Sequence, residues 1–273
     1  MPKPRGRRSF LAAMTTVSAS AAWIGQASAA ENRSGKLANA CSRRDMGDQT
    51  SPVPTGTSDI TDILDVAITD SKNEGRTAFI AGGIHGDERA GITAAKNITE
   101  WTPDYGRLVV LPEANPEAIE RNSRENSSGN LNRKFPVGSE PRSALARSIW
   151  DAVTAVDPDL LITLHESKGI NSGTPAGVGQ GVFHRGRPDT HNATQMGIRR
   201  ANKTIGKKRL RFSHGRISGP NHPPTGLLSE KADYDAGISS FIIETYEGVN
   251  ENTRVQWQKT ITRGILDHYD IYE

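Results

Sequence analysis

Between residues 63 and 268, short aliphatic runs alternate with longer segments of helical period, a pattern that few architectures accommodate. The runs ILDVAI at 63–68, TAFIA at 77–81, RLVVLP at 107–112, LLITL at 160–164 and SFIIET at 240–245 are short and continuous, as strands buried on both faces are. Helical patterns cover 88–101, 142–155, 189–205 and 253–268, with Pro158 and Asp159 separating the second helix from the strand after it. Strands alternating with helices predict an α/β sandwich whose sheet is at least partly parallel. In such sheets binding sites collect at strand ends, where loops converge.

The termini and the charge balance narrow the function classes. Residues 1–29 read as a signal peptide: a basic start ending in GRRSFLA, a mildly apolar stretch, and ASA at 27–29 as a small-residue cleavage site. The pair Arg7–Arg8 followed by Ser9, Phe10 and Leu11 has the twin-arginine form, so the chain is expected to be exported to a periplasmic, cell-surface or extracellular location. The apolar stretch is short and broken by Ser and Thr, so no stable membrane insertion is expected after cleavage. Residues 30–58 are rich in Ser, Asn, Gly and Pro and read as a flexible linker, leaving 59–273 as the globular domain. The formal charge of +3 comes from the leader, because the remainder carries 30 basic against 31 acidic residues. A nearly neutral mature chain with few aromatics disfavours a nucleic-acid partner. Cys41 is the single cysteine, which excludes an intramolecular disulfide and a cysteine-based metal cage.

The polar turn GGIHGDERAG at 82–91 directly follows the TAFIA strand and places His85 and Glu88 three residues apart. On a helix beginning after Gly86, that spacing puts both side chains on one face. Imidazole and carboxylate are ordinary zinc ligands, and a catalytic zinc takes three protein ligands and a water. A His-x-x-Glu pair alone is common on solvated surfaces. A third ligand is available in LLITLHES, where His165 ends an aliphatic run. His184, His191, His214, His222 and His268 lie in loops or helix patterns without carboxylates at ligand spacing.

Glu244, in SFIIETYEG, also ends an aliphatic strand, where a carboxylate is costly unless paired or functional. Such a group can take a proton from a metal-activated water and return it to a leaving amine. Glu247 is a nearby alternative, and Glu244 is favoured because it directly ends the apolar run. In the Ser/Asn/Gly-rich stretch 115–136, Arg124, Asn132 and Arg133 suit a clamp for a substrate carboxylate, since arginine binds carboxylates through paired hydrogen bonds. A solvated loop is the plainer reading of Arg121 and Arg124 taken singly.

HGDE, NLNRKFP, LHES and IIETYEG occur in the order seen in the zinc carboxypeptidase superfamily. The chain resembles its compact branch, the succinylglutamate desuccinylase/aspartoacylase-type deacylases, over residues 60–250. The resemblance implies a three-layer α/β/α sandwich with a mixed, partly parallel twisted sheet. It implies one Zn2+ per chain, held by His85, Glu88 and His165, with Glu244 as general acid/base. It further implies that Asn132 and Arg133 hold the substrate carboxylate and that Arg124 polarises the scissile carbonyl after a one-residue spacing adjustment. Tyr234 is a candidate for the tyrosine that often lines these sites. Asn130 stands where an Asp is common, and Glu166, beside the third ligand, is left without an assigned role.

The expected activity is zinc-dependent hydrolysis of an amide bond in a carboxylate-bearing substrate, an N-acyl amino acid or small peptide. A carboxypeptidase or cell-wall peptide amidase proper, and a non-catalytic zinc or peptide-binding module, are the rival readings. The loops 169–187 and 213–233, including His222, are expected to shape specificity.

Overall fold

The computed structural model describes residues 64–170, 178–185, 187–217 and 223–273. The expected signal peptide, the linker, Cys41, His222 and most of the GTPAGVG segment fall outside the described residues.

Seven strands form one sheet in the order β1-β3-β2-β4-β7-β5-β6. They are β1 (Ala67–Asp70), β2 (Thr77–Ala81), β3 (Arg107–Leu111), β4 (Leu160–Ser167), β5 (Gly181–His184), β6 (Ser213–Arg216) and β7 (Ser239–Tyr246). The helices are α1 (Arg89–Ile98), α2 (Pro116–Glu120), α3 (Ala144–Val156), α4 (Pro188–Thr204), α5 (Leu228–Ala236) and α6 (Glu251–His268). β3, β2, β4 and β7 run parallel, joined by helical crossovers, whereas β1 and β5 pair antiparallel with β3 and β7. The sheet is therefore mixed, as expected.

The central strands are apolar throughout because both of their faces are covered. All eight residues of β4 are buried, and in β2 Phe79 and Ile80 are fully enclosed. Each such side chain contributes about 1.5–3 kcal/mol of burial. Alternate residues feed two cores. Ile80, Leu164, Phe241 and Ile243 pack with Ala94 of α1, Ala193 of α4 and Ile261 of α6 on one face. Phe79, Val109 and Leu161 pack with Ile149 of α3 and Leu228 and Ala232 of α5 on the other. This is the three-layer α/β/α sandwich.

Several elements depart from the sequence reading. The first strand begins at Ala67 rather than 63, as a short edge strand held by an Asp70–Arg107 ion pair. β5 and β6 are four-residue strands, GVFH and SHGR, whose polar residues give no aliphatic run to read. α5 carries a mixed sequence, LSEKADYDA. The carboxylate of its Glu230 accepts the N–H groups of Thr225, Gly226 and Leu227 and organises the helix start in place of an ordinary cap.

Candidate functional site

β2 ends where the chain must turn away from the sheet. Gly83 does so at φ +70, a backbone region that favours glycine. Gly86 lies so close to α2 that an added Cβ would sit 2.0 Å from the backbone of Ala118, in the middle of that helix. These two glycines hold the intervening His85 at the strand end. Helix α1 begins only at Arg89, so His85 and Glu88 meet across a turn rather than along one helical face. Glu88 is the N-cap residue, yet its side chain makes no capping bond and points inward instead.

His85, Glu88 and His165 converge there, at 2%, 5% and 1% exposure. Nδ1 of His85 lies 2.7 Å from Glu88 Oε1, and Nδ1 of His165 lies 2.8 Å from Glu88 Oε2. The two imidazole rings are 5.1 Å apart. One donor atom from each of the three residues falls within 4.8 Å of the others. Two imidazoles and a carboxylate suit a divalent metal with an open position. Burial works against the charge on Glu88, but His165 and His85 outweigh it and hold the carboxyl far below its ordinary range. For His85 burial dominates and lowers its pKa, while in His165 the Glu88 charge overcomes burial and raises it.

Glu244 is the register partner of His165 on the neighbouring strand, so the two side chains leave the same face side by side. Its carboxyl is pushed up to about 8, first by desolvation, with the Glu88 charge adding to it against the pull of His165. A carboxyl that holds its proton near neutral pH is equipped for proton transfer.

Arg124 donates from Nη1 to Glu88 Oε1 at 2.9 Å, so the structure brings it to the group through the candidate metal ligand itself. Asn132 is buried at the end of this loop, but its Oδ1 accepts from the Leu228 N–H at 3.3 Å, tying the loop to α5. Arg133 is exposed, and its guanidinium donates to the Asn132 carbonyl at 2.6 Å. Tyr234 is not brought to the group. It is 40% exposed on α5, with the Arg185 guanidinium 3.6 Å from its ring centre. Arg185 follows His184, which pairs with Phe241, whereas Gly181 pairs with Glu244. At about 3.4 Å per residue, the Tyr234 contact lies about 10 Å or more along the sheet from Glu244.

Asn115, Asn130, Glu166 and Gln258 support the group through contacts that local sequence does not reveal. Asn115 caps α2 and donates to the carbonyl of Ile84, immediately before His85. Asn130 Oδ1 accepts the Asn132 N–H at 2.9 Å and lies 3.3 Å from His85 Nε2. It thereby presents an acceptor to the ring nitrogen opposite the one facing Glu88, the arrangement that orients a metal-binding histidine. Asn130→Leu is expected to weaken metal affinity about 10–100-fold, measured by competition with a chelator, whereas Asn130→Asp restores or tightens it.

Glu166 has a structural role. Its Oε2 accepts the Ala90 N–H at the start of α1, replacing the cap that Glu88 does not make, and its Oε1 pairs closely with Arg254 of α6. Burial pushes its carboxyl up to about 7 despite those two partners. Gln258 of α6 donates to the His165 carbonyl at 3.0 Å, so α6 braces the strand end twice. Glu166→Ala leaves the partly buried Arg254 without this carboxylate and is expected to destabilise the fold by about 3 kcal/mol, read by denaturant unfolding, with metal content unchanged.

Beside Glu88 opens a polar cleft of about 390 Å³ whose lining includes Arg124, Lys168 and Arg254 as well as Glu166, Glu247 and Glu251. Asn132 and Arg133 are not among its lining residues.

Part of the chain is similar to the deacylase branch of the zinc carboxypeptidase-like proteins, and its fold is shared with solved structures of that kind. Residues 74–165, which run from before β2 to His165, match the succinylglutamate desuccinylase/aspartoacylase catalytic domain. N-alpha-acetyl-L-2,4-diaminobutyric acid deacetylase of Halomonas elongata is 34% identical over 102 residues, covering 34% of this chain and 29% of that enzyme. Product-bound Cell Shape Determinant protein Csd4 of Helicobacter pylori superposes with a TM-score of 0.66 at 17% identity, over 76% of this chain and 55% of Csd4. A succinylglutamate desuccinylase/aspartoacylase from Rhodobacter sphaeroides gives a TM-score of 0.56 at 18% identity, over 76% of this chain and 59% of that one. The chain thus spans less than two thirds of these relatives, and the structural likenesses speak for the fold.

Proposed function

We propose that this chain is a zinc-dependent hydrolase that cleaves an amide bond in a carboxylate-bearing substrate, an N-acyl amino acid or a small peptide. The observation that carries this reading is the convergence of His85, Glu88 and His165 with Glu244 in register beside them. A zinc ion held by His85, Glu88 and His165 would supply Lewis-acid polarisation of the carbonyl and an acidified water. Glu244 removes a proton from the attacking water and delivers it to the departing nitrogen. Arg124, whose guanidinium reaches the group at Glu88, would stabilise the developing oxyanion, a contribution of about 3–4 kcal/mol for such a donor. Arg133, exposed next to the buried Asn132, supplies a guanidinium for the substrate carboxylate.

The Halomonas relative is named as a deacetylase of an acylated amino acid, which favours N-acyl amino acids. Peptide cleavage is the second reading. Csd4, named a D,L-carboxypeptidase, has been crystallised with a tripeptide and with mDAP. The reading is tested by measuring zinc content and hydrolysis together, on N-acyl amino acids and on short peptides with free and amidated C-termini. Turnover of acyl amino acids supports the first reading, and loss of peptide turnover on C-terminal amidation supports carboxypeptidase action. Zinc without turnover on either set leaves a binding module.

The export part of the reading rests on the Arg7–Arg8 pair and the small-residue cleavage motif. Replacing both arginines by lysine is expected to retain the protein in the cytoplasm, read by cell fractionation.

A further inference from the structure

Read along the chain, His184, His191 and His214 share no spacing that suggests a site. The fold brings them together from three rigid elements. His184 ends β5, His191 lies in the first turn of α4, and His214 is the second residue of β6. One ring nitrogen from each lies within 4.8 Å of the others. The ring centres are 5.8 Å apart for His184 and His191, 6.4 Å for His184 and His214, and 5.0 Å for His191 and His214.

This group is separate from the hydrolytic one. His184 is paired with Phe241, and His214 with Val182, whose side chains pack in the core beneath α4 and α6. Because side chains alternate across a strand, His165 and Glu244 leave the opposite face from Leu164 and Ile243, which belong to that same core. The two groups therefore sit on opposite faces of the sheet.

The hydrogen bonds around His184 favour a ligand role. Thr190 Oγ1 donates to the Arg187 carbonyl at 3.0 Å, which commits its single hydrogen. Its lone pair faces Nδ1 of His184 at 3.0 Å, so that nitrogen carries the ring proton and Nε2 carries the lone pair. This is the way a histidine is oriented for coordination through Nε2. Beside the rings lies a cavity of about 540 Å³. Arg216, which lines the same cavity, opposes a cation, but its side chain is exposed and its charge is screened by solvent.

We propose that His184, His191 and His214 form a second metal site, a three-imidazole site for a borderline divalent cation such as Zn2+. Ligands with no carboxylate or thiolate select zinc, copper or nickel over magnesium and calcium. Zinc at about 2.0–2.1 Å from each nitrogen brings the nitrogens to about 3.3 Å of one another, a contraction within the reach of side-chain rotation. The bound cation ties the edge strand β6 to β5 and α4, leaving a fourth position open to water.

The test uses the full chain, stripped with chelator and titrated with Co2+, comparing wild type with the His191→Asn/His214→Asn variant. Both replaced side chains are at least partly exposed, and far-UV circular dichroism checks that the variant folds. The variant is expected to bind one equivalent fewer than wild type and to lose that equivalent's share of the visible d–d absorption. Whatever the hydrolytic group binds is common to both proteins, so this difference is independent of the proposed function. Zn2+ is also expected to raise the melting temperature of wild type more than that of the variant. Equal Co2+ uptake by the two folded proteins overturns the proposal. Should the double variant fail to fold, His214→Asn alone serves, because His214 is the most exposed of the three. Co2+ affinity at one equivalent should then fall at least tenfold, and unchanged affinity overturns the site.

Discussion

Glu244→Gln is expected to reduce kcat about 10²–10⁴-fold while the bound metal stays at the wild-type level. Gln keeps the size of the side chain and the β7 register with His165, but it can neither take nor return a proton. Steady-state kinetics together with metal analysis on the same preparation check this. Loss of metal along with activity would mean that Glu244 serves the ligand group, and full activity would transfer the role to another acid such as Glu247. The same variant has a pH signature in the metal-free protein. The Glu244 carboxyl is raised from 4.5 to about 8 on folding, so the folded chain binds a proton that the unfolded chain has released. That contribution to stability is fully present below about pH 4.5 and is lost as pH rises toward about 8. Glu88, held far below its ordinary value, acts in the other direction, with stability present above 4.5 and lost as pH falls below it. Denaturant melts of chelator-treated protein should therefore show a decline between about pH 4.5 and 8 in wild type that Glu244→Gln reduces, with the raised Glu166 carboxyl supplying the part that remains up to about pH 7.

His165→Ala is expected to abolish turnover and to remove the metal from this group, with affinity falling by more than about 100-fold, beyond the loss from a supporting residue alone. It also costs about 3 kcal/mol of stability in the metal-free chain. The structural reason is that Glu88 is buried and shared between two imidazoles, so removing one leaves its charge half-compensated. Comparison with Glu166→Ala separates the two roles of this strand end. Glu166→Ala is expected to lose stability and keep metal, whereas His165→Ala loses both. Retention of full metal affinity by His165→Ala would overturn the ligand assignment.

Much of this was legible before any coordinates. Buried parallel strands must be apolar on both faces, so β2, β3, β4 and β7 declare themselves as aliphatic runs, and each of His85, His165 and Glu244 marks the point where such a run meets a polar residue. The edge strands were not legible, because β5 and β6 are short and carry His, Arg and Ser rather than an apolar repeat. Helix α5 was missed because a glutamate reaching three residues back, not a conventional cap, starts it. The candidate site divides in the same way. Two ligands within one turn and a third at a strand end follow from local pattern. Asn130 beneath His85 joins residues 45 apart, and Glu166 over the start of α1 joins residues 76 apart, spacings that no periodicity records.

The linear sequence by itself determined the α/β class, the placement of His85, His165 and Glu244 after aliphatic runs with Glu88 in the turn beyond the first, and the near-neutral charge of residues 31–273. Each depends on hydrophobic period or residue chemistry over a few neighbours. The tertiary structure alone decided that Glu244 stands in register beside His165, that Tyr234 faces Arg185 instead of the cleft, and that three scattered histidines gather on the opposite face of the sheet. Strand order and register are set by packing across the whole sheet. Long-range neighbours follow from that order and not from the spacing of residues along the chain.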